Sequence, residues 1–393
     1  MANAQVQLIC LAPSLVITSV EKTANQHPFH PFLAPTPSSP TETSTTSGSS
    51  GDAQQQQTHA LLIPTLLELL FYSSERRGMD SSVQRFLSYV ETQHEISIVF
   101  EEQLLSMFPD GALQYEPLRW KALQVASAGT GAFLNQLAVL TELTTQLAKH
   151  NISVFQISTY QTDYVLVKIE DLETAIRCLE SFCYVEMESG KGFELESSFS
   201  EQDERPNPVI ALTDEDLAVH HHVLSVPDID LFLVQIDKSC VRRHMFSLIR
   251  LLFGHNSSCN ASSSPQSGKL FLSYSETGDD ISVVTYDKVF VEEMQTLASS
   301  GDQGVMVSPD SWKVVQVGDT NLGFSETGIV AGQTRVLLSS GTMVFYLSTF
   351  ATDFMMIKED EWDDALPILR SNFNILEGRF ASLQDAAKAV EAA

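Results

Sequence analysis

The sequence has few basic residues for its length. Lysine and arginine together number 23, against 50 aspartates and glutamates, so the 393-residue chain carries a formal net charge of −27. Nucleic acids and anionic membrane surfaces are themselves negatively charged, and a chain this acidic is a poor non-specific binder of either. The composition therefore predicts a protein with no nucleic-acid partner and no attachment to a membrane surface.

Cysteine and long apolar runs are also scarce. The five cysteines form no CxxC pair, which is typical of reduced thiols in a cytosolic protein. No apolar run reaches the ~18 residues that a membrane-spanning helix needs. The apolar N-terminus lacks the basic region of a signal peptide, and we interpret it as a first β-strand.

Recognisable catalytic motifs are missing as well. The chain contains no P-loop, no HExxH, no GxSxG and no set of Cys and His residues at metal-ligand spacing. Three adjacent histidines at 220–222 point in different directions from one backbone segment, and we interpret them as a solvated segment at the end of a linker. The GTG at 129–131 lacks the remainder of a dinucleotide fingerprint. The sequence thus predicts a protein that is not an enzyme.

What the chain does contain is an internal repeat. FQISTYQTDYVLVKIED recurs as FYLSTFATDFMMIKED 190 positions later, and RFLSYVETQHEISIVF recurs as LFLSYSETGDDISVVT 185 positions later. Because the repeated peptides keep their order, residues 1–188 and 220–380 are two copies of one pattern. A repeat of this kind determines the architecture and is considered before single elements.

Each copy contains the element order βαββαβ, which is clearest in its second half. Leucines at helical spacing follow a short strand, then come a hairpin, a second helix with an acidic first turn, and a final strand. The prediction is an α/β (α+β) fold of four ferredoxin-like βαββαβ units, of the ACT type, arranged as a duplicated pair. The predicted domains are 1–110 with a disordered insertion at 23–57, 118–188, 220–300 and 310–380, with an acidic linker at 189–219.

The first candidate for a binding site is the stretch LGFSE at 322–326. A glycine allows a ligand to approach the backbone closely, and the first amides of a helix attract a carboxylate. One interpretation of the stretch is a glycine-led helix start that contacts a ligand. The alternative is that Gly323 only caps a tight turn.

A second candidate is a pair of aspartates, Asp163 and Asp353, at equivalent hairpin turns of the two copies. A carboxylate beside a pocket pairs well with the planar fork of an arginine side chain. The alternative is that aspartate is simply a favourable turn residue. Tyr160 and Gln161 in one turn are replaced by Phe350 and Ala351 in the other, so the two turns are predicted to have different functions.

The stretches STYQTDYVLVKIEDL, SWKVVQV and LGFSETGIVA, the last followed by STFATDF, resemble the cytosolic arginine sensors called CASTOR, which regulate mTOR complex 1. The resemblance covers both copies outside the 23–57 insertion, the linker and the extreme C-terminus. It implies a homodimer that binds free L-arginine between the second and fourth ACT domains. It also implies that the protein binds and inhibits a GATOR-like complex when arginine is absent.

The same resemblance assigns site residues, with L-arginine as the ligand and neither a cofactor nor a metal. The implied ligand-binding set is Ser153, Val154, Gly323, Glu326, Ile329, Val330, Thr349, Phe350, Ala351, Thr352 and Asp353. The implied partner-binding turn consists of Tyr160, Gln161 and Asp163. One departure from the family is the segment GQTRVLLSS at 332–340, taken as a loop beside the pocket, which carries the cation Arg335.

Two other functions are compatible with the residues. One is a regulatory subunit that makes a separate biosynthetic enzyme, of the aspartate-kinase kind, responsive to an amino acid. The other is an interaction scaffold that binds no ligand. A binding screen over the amino acids distinguishes the scaffold from the first two, and a pull-down with and without ligand distinguishes the sensor from the subunit.

Overall fold

The computed structural model describes residues 6–21, 62–72, 84–126, 136–188, 222–254, 271–278, 280–318, 322–378 and 380. The predicted insertion at 23–57, the linker at 189–219 and the GTG at 129–131 lie outside the described residues.

Strands are the commonest regular elements of the described chain. In chain order they are β1 (Val6–Cys10), β2 (Leu15–Glu21), β3 (Phe86–Thr92), β4 (Glu95–Glu101), β5 (Gln114–Tyr115), β6 (Trp120–Val125), β7 (Val154–Ser158), β8 (Asp163–Lys168), β9 (Cys183–Met187), β10 (Leu224–Val226), β11 (Asp230–Asp237), β12 (Phe271–Thr277), β13 (Asp280–Thr285), β14 (Val305–Val317), β15 (Val344–Ser348), β16 (Asp353–Lys358) and β17 (Ile375–Glu377). The helices are α1 (62–67), α2 (Gln136–Lys149), α3 (Leu172–Leu179), α4 (Val241–Phe253), α5 (Lys288–Ser299), α6 (Ile329–Leu337) and α7 (Trp362–Asn372).

The second and fourth units show the predicted βαββαβ order, and the α+β fold class is confirmed. The second unit runs β6-α2-β7-β8-α3-β9, and the fourth runs β14-α6-β15-β16-α7-β17. In each unit the first and third strands pair antiparallel, as do the second and third. The helices pack their apolar faces on one side of the sheet, as in α3, where Ala175, Ile176 and Leu179 are buried.

One strand in each copy lies in a different sheet from the one expected. β1 pairs antiparallel with β6 and parallel with β9, so it lies inside the sheet of the second unit. β10 pairs in the same way with β14 and β17 of the fourth unit. The predicted boundaries 1–110 and 220–300 had placed these strands in the first and third units. The domain boundaries themselves remain a prediction.

The first and third units join edge to edge. β3 pairs antiparallel with β12, and Tyr89 stands opposite Tyr274, its own counterpart in the repeat. β7 and β15 meet in the same manner, with Ile157 opposite its counterpart Leu347. In both pairs, a strand of the first copy contacts the equivalent strand of the second copy. Contacts between equivalent surfaces define an approximate two-fold axis. The repeat in the sequence is therefore a pseudo-symmetry of the fold.

Large aromatic side chains fill the space between the paired units. One buried cluster contains Trp120 and Phe155 of the second unit and Trp312 and Phe345 of the fourth. Removing such a buried aromatic side chain costs about 3–5 kcal/mol of stability. This cluster forms the rigid wall against which the candidate site is built.

No helix among the described residues is long and apolar enough to cross a lipid bilayer. No disulfide bond joins the four described cysteines, and burial raises the pKa of the Cys178 thiol to about 11 and that of the Cys183 thiol to about 12.

Candidate functional site

A cavity lies between strand β7 of the second unit and the start of helix α6 of the fourth. It encloses about 450 Å³, counting the space at its open mouth. Its lining residues are Trp120, Ser153, Val154, Phe155, Leu322, Gly323, Phe324, Glu326, Gly328, Ile329, Val330, Ser348, Thr349, Phe350 and Asp353.

The helix at this cavity begins later than predicted. LGFSE is not its first turn: α6 starts at Ile329, and residues 322–328 form an irregular loop before it. Two residues of this loop, Gly323 with φ 67° and Gly328 with φ 81°, have the left-handed backbone that glycine adopts without strain. Gly328 is the N-cap, so the helix amides that face the cavity are those near Gly328, Ile329 and Val330. Glu326 lies in the loop and not inside the helix.

The segment 332–340 is also not the loop that was expected. Most of it belongs to α6, which is followed by a short 3-10 turn at Leu338–Ser340. Arg335 donates a hydrogen bond from Nη2 to Oγ1 of Thr145 on helix α2, at 3.3 Å. Thr145 is the counterpart of Arg335 in the repeat, so this contact lies at the pseudo-two-fold axis. Arg335 does not line the cavity.

The loop at 322–328 is fixed to both units. The hydroxyl of Ser153 donates to the carbonyl oxygen of Phe324 at 2.9 Å, which ties the loop to the second unit. The amide of Leu322 donates to the carbonyl oxygen of Ala351 at 2.9 Å, which ties it to the fourth. The Phe324 ring packs edge-on against the rings of Trp120 and Phe350, with centroids 5.5 and 5.2 Å apart. The cavity thus has a roof held by polar and aromatic contacts.

Asp353 supplies a buried carboxyl group to the cavity. It begins strand β16, is only 7% exposed, and accepts hydrogen bonds from the hydroxyls of Tyr346, at 2.9 Å, and Ser348. Burial raises the pKa of the Asp353 carboxyl to about 6, although these hydrogen bonds lower it and the nearby Glu326 raises it slightly. A buried carboxylate at a cavity wall is stabilised by a cationic ligand that reaches it.

A second carboxylate, that of Glu326, lies nearer the mouth. Its side chain is 37% exposed, and Oε2 lies 3.2 Å from Nε2 of His222. The interpretation of the histidine run as a solvated segment is therefore wrong for His222, whose side chain is 18% exposed and contacts a residue of the cavity. His220 and His221 lie outside the described residues.

Nine of the eleven residues assigned to ligand binding line this cavity. The two exceptions are Ala351 and Thr352, which lie in the β15–β16 turn but outside the lining. They support the turn instead, since Thr352 accepts the amide of Thr349 at 2.8 Å and Ala351 accepts that of Leu322. Their assignment to ligand binding stays a prediction.

Several lining residues had no signal in the sequence. Trp120 and Phe155 look like ordinary core aromatics, and Phe324 like part of a helix start. Ser348 could have been found, because it is the counterpart of Ser158 and stands five residues before Asp353 as Ser158 does before Asp163. Its hydroxyl contacts Asp353.

The corresponding place in the first copy differs in its polar residues. Gln156 stands where the fourth unit has Tyr346, and Leu143 stands where it has Gln333, which lies 3.0 Å from the Tyr346 hydroxyl. Gln156 is fully buried, and within the described ranges neither atom of its side-chain amide has a hydrogen-bond partner. The network that surrounds Asp353 is therefore not reproduced around Asp163.

The turn assigned to partner binding is only partly exposed. Gln161 is exposed and Tyr160 is partly buried, whereas Asp163 is 2% exposed and accepts a short hydrogen bond from the Ser158 hydroxyl. The expectation that Asp163 contacts a partner directly does not fit this burial. The carboxylate is positioned to hold the turn that presents Tyr160 and Gln161.

Comparisons with known proteins agree with this architecture. The family model described as "ACT domain" matches residues 116–181 and 307–371. The model described as "Cytosolic arginine sensor for mTORC1 subunit 1/2, ACT-like" matches residues 53–116. A solved structure, that of aspartate kinase from Synechocystis, has a TM-score of 0.30 and 11% identity over 95% of this chain and 56% of that one, too low to carry an argument.

Three curated relatives illustrate the sequence similarity. "Cytosolic arginine sensor for mTORC1 subunit 1" of Rattus norvegicus is 27% identical over 322 residues, which cover 78% of this chain and 89% of the relative. The Homo sapiens protein of the same name is also 27% identical and is covered to 90%. "Putative protein CASTOR3P" of Homo sapiens is 33% identical over 121 residues, 30% of this chain and 71% of that protein. Over most of its length the chain is therefore similar to these curated sensors, and two of its units match the ACT domain model.

Proposed function

We propose that the protein is a cytosolic, non-catalytic sensor that binds free L-arginine in the cavity between β7 and α6. The single observation that carries the proposal is the buried Asp353 carboxyl, which faces a cavity whose opposite wall begins a helix. Relatives that share 27% of their residues with the chain are named as arginine sensors.

An amino acid with a cationic side chain matches the two ends of this cavity. The first amides of α6, near Gly328, favour the ligand's carboxylate, because a helix begins with amide groups that have no partner inside the helix. Asp353 favours a guanidinium group, which forms two parallel hydrogen bonds with a carboxylate. Ser153 and Val154 add the edge of strand β7.

The response to arginine requires a second surface. We propose that the turn with Tyr160 and Gln161 binds a protein partner, a GATOR-like complex, when the cavity is empty. Bound arginine would join β7 to α6 and so change how the second unit presents that turn. The homodimer implied by the family resemblance remains a prediction.

The proposal predicts a clear order of ligand affinity. L-arginine should bind with one molecule per chain, and L-lysine should bind about tenfold more weakly, because an ammonium group cannot make the second parallel hydrogen bond. Isothermal titration calorimetry with arginine, lysine and the neutral isostere citrulline measures this order. Equal affinity for arginine and citrulline would contradict a role for Asp353, and absence of any binding would refute the sensor.

Binding should also depend on pH. Burial raises the pKa of Asp353 to about 6 in the unliganded protein, and the cationic ligand binds the ionised form. Below pH 6 the carboxyl must lose its proton before it can bind, so the affinity should be about tenfold lower at pH 5 than at pH 7.5. Calorimetry at both pH values measures the ratio. If the affinity were the same at both, Asp353 would not be the group that contacts the cation.

A further inference from the structure

Glu95, which begins strand β4 in the first unit, contacts the β15–β16 turn beside the cavity. Its side chain is buried, and Oε1 lies 2.6 Å from Oγ1 of Thr349 and 3.2 Å from the amide nitrogen of Ala351. Oε2 accepts a hydrogen bond from the hydroxyl of Ser19 at 3.0 Å. One carboxylate thus joins the first unit to the β15–β16 turn of the fourth.

Ser97, two residues further along β4, contacts the same turn. Its hydroxyl oxygen accepts the amide of Phe350 at 3.0 Å. Three consecutive residues of the turn, from Thr349 to Ala351, are therefore hydrogen-bonded to the first unit. Hydrogen bonds to a charged acceptor are stronger than neutral ones, so Glu95 is the principal holder of this turn.

The contact continues directly to the roof of the cavity. Thr349 and Phe350 line the cavity. Ala351 forms two backbone hydrogen bonds: its amide donates to Glu95, and its carbonyl oxygen accepts the amide of Leu322. Leu322 begins the loop that carries Gly323 and Glu326. The position of Glu95 consequently determines both the turn beside Asp353 and one end of the roof.

In the described part of the chain, Glu95 forms no ion pair with a lysine, arginine or histidine, and burial raises the pKa of its carboxyl. An acceptor that is buried without a cation is costly unless hydrogen bonds compensate for its desolvation. Here the compensating donors are Ser19, Thr349 and Ala351. Thr349 and Ala351 of the fourth unit therefore contribute to the stability of the first unit, because their hydrogen bonds offset the desolvation of Glu95.

The repeat provides a comparison. Asp280 occupies the position of Glu95 in the second copy, and its Oδ1 accepts a hydrogen bond from the side-chain amide of Gln235 at 2.6 Å. Ser282, the counterpart of Ser97, still accepts the amide of Tyr160 at 3.0 Å. The contact through serine is shared by both copies, and Glu95 adds a carboxylate contact to the turn that lines the cavity.

We infer that Glu95 is a positioning residue for the ligand cavity, which holds the 349–352 turn and the roof loop in the conformation that binds the ligand. The inference rests on the proposed arginine site. A ligand binds more tightly when the groups that contact it are already ordered, because less conformational entropy is lost on binding. Glu95 therefore acts on affinity through Thr349 and Ala351 without contact with the ligand.

The test compares Glu95→Ala with Glu95→Gln, which keeps an acceptor oxygen in place of Oε1. Calorimetry should show arginine affinity about tenfold lower in Glu95→Ala and within about threefold of wild type in Glu95→Gln. Asp280→Asn, at the equivalent position, is the matched control and should bind arginine as the wild type does. Ser97→Ala, a milder change, should lower the affinity about threefold.

Amide hydrogen exchange in the unliganded protein gives a readout that does not depend on the ligand. The amide of Ala351 should exchange faster in Glu95→Ala than in the wild type, and Glu95→Gln should restore its protection, with exchange in α2 and α7 unchanged. Wild-type protection together with wild-type affinity in Glu95→Ala would overturn the inference. Faster exchange at Ala351 in Glu95→Ala, together with a wild type that binds no arginine, would refute the proposed function but leave the Glu95 contact intact.

If Glu95→Ala does not fold, Ser97→Ala and Glu95→Gln decide the matter. Faster exchange at Phe350 with weaker arginine binding in Ser97→Ala supports the inference. Unchanged arginine affinity in Ser97→Ala despite faster exchange at Phe350 overturns it, because the turn would then be more mobile with no effect on arginine affinity.

Discussion

Asp353→Ala should lower the affinity for L-arginine by about 30–150-fold. A partly buried, bidentate contact between a guanidinium and a carboxylate contributes about 2–3 kcal/mol, which converts to that ratio. Isothermal titration calorimetry on wild type and variant measures the loss directly. Asp353→Asn, which keeps the shape of the side chain and removes its charge, should show a loss of the same order.

The unliganded variant should remain folded. The folded-state pKa of Asp353 is raised above its ordinary value, so the ionised carboxylate lowers stability at neutral pH, and protonation recovers that stability as pH falls through about 6. Asp353→Asn should therefore melt no lower than wild type at pH 7.5 without ligand. A large drop in melting temperature would show that Asp353 serves the fold and would contradict its assignment to the ligand.

Tyr160→Ala should abolish capture of the partner complex and leave arginine binding unchanged. An aromatic residue that anchors an interface commonly contributes 2 kcal/mol or more, or about 30-fold in affinity. A pull-down with purified GATOR-like complex, with and without arginine, together with calorimetry on the same variant, measures both properties. Gln161→Ala should weaken capture to a smaller degree.

The chain offers a matched control for this experiment. Tyr184 on β9 is 51% exposed, and strands β1 and β6 separate β9 from β8, which follows the turn, so Tyr184→Ala should capture the partner normally. Asp163→Ala should lose the partner through distortion of the turn and should also melt at a lower temperature, because Asp163 is buried and bonded to Ser158. Loss of arginine binding in Tyr160→Ala would mean that the two turns do not have separate functions.

The second and fourth units could be predicted because their patterns are local. Helix periodicity, strand composition and the turn around Asp163 each span fewer than twenty residues, and the repeat shows each pattern twice. The ligand-binding residues were assigned through the family resemblance, and their role in binding stays a prediction. The burial of Asp163 could not be predicted. The local sequence identifies a turn around Asp163 but does not indicate which other parts of the chain cover it.

Long-range pairing set the limit of prediction. The local sequence of Val6–Cys10 does not indicate that this strand pairs with β6 and β9. A short apolar strand can pair equally well with several other strands. The contact between Glu95 and Thr349 spans 254 positions, and HEISI reads as an ordinary strand. The late start of α6 was missed because two glycines, Gly323 and Gly328, each satisfy the requirement for a left-handed residue before a helix.

A crystal structure of the protein with L-arginine tests the central claim most directly. The account predicts one arginine in the cavity between β7 and α6, with its guanidinium about 2.7–2.9 Å from the carboxylate oxygens of Asp353 and its own carboxylate at the amides that begin α6. An empty cavity in a crystal with saturating arginine would contradict the account. Arginine bound elsewhere on the chain, with Asp353 out of contact, would contradict it equally.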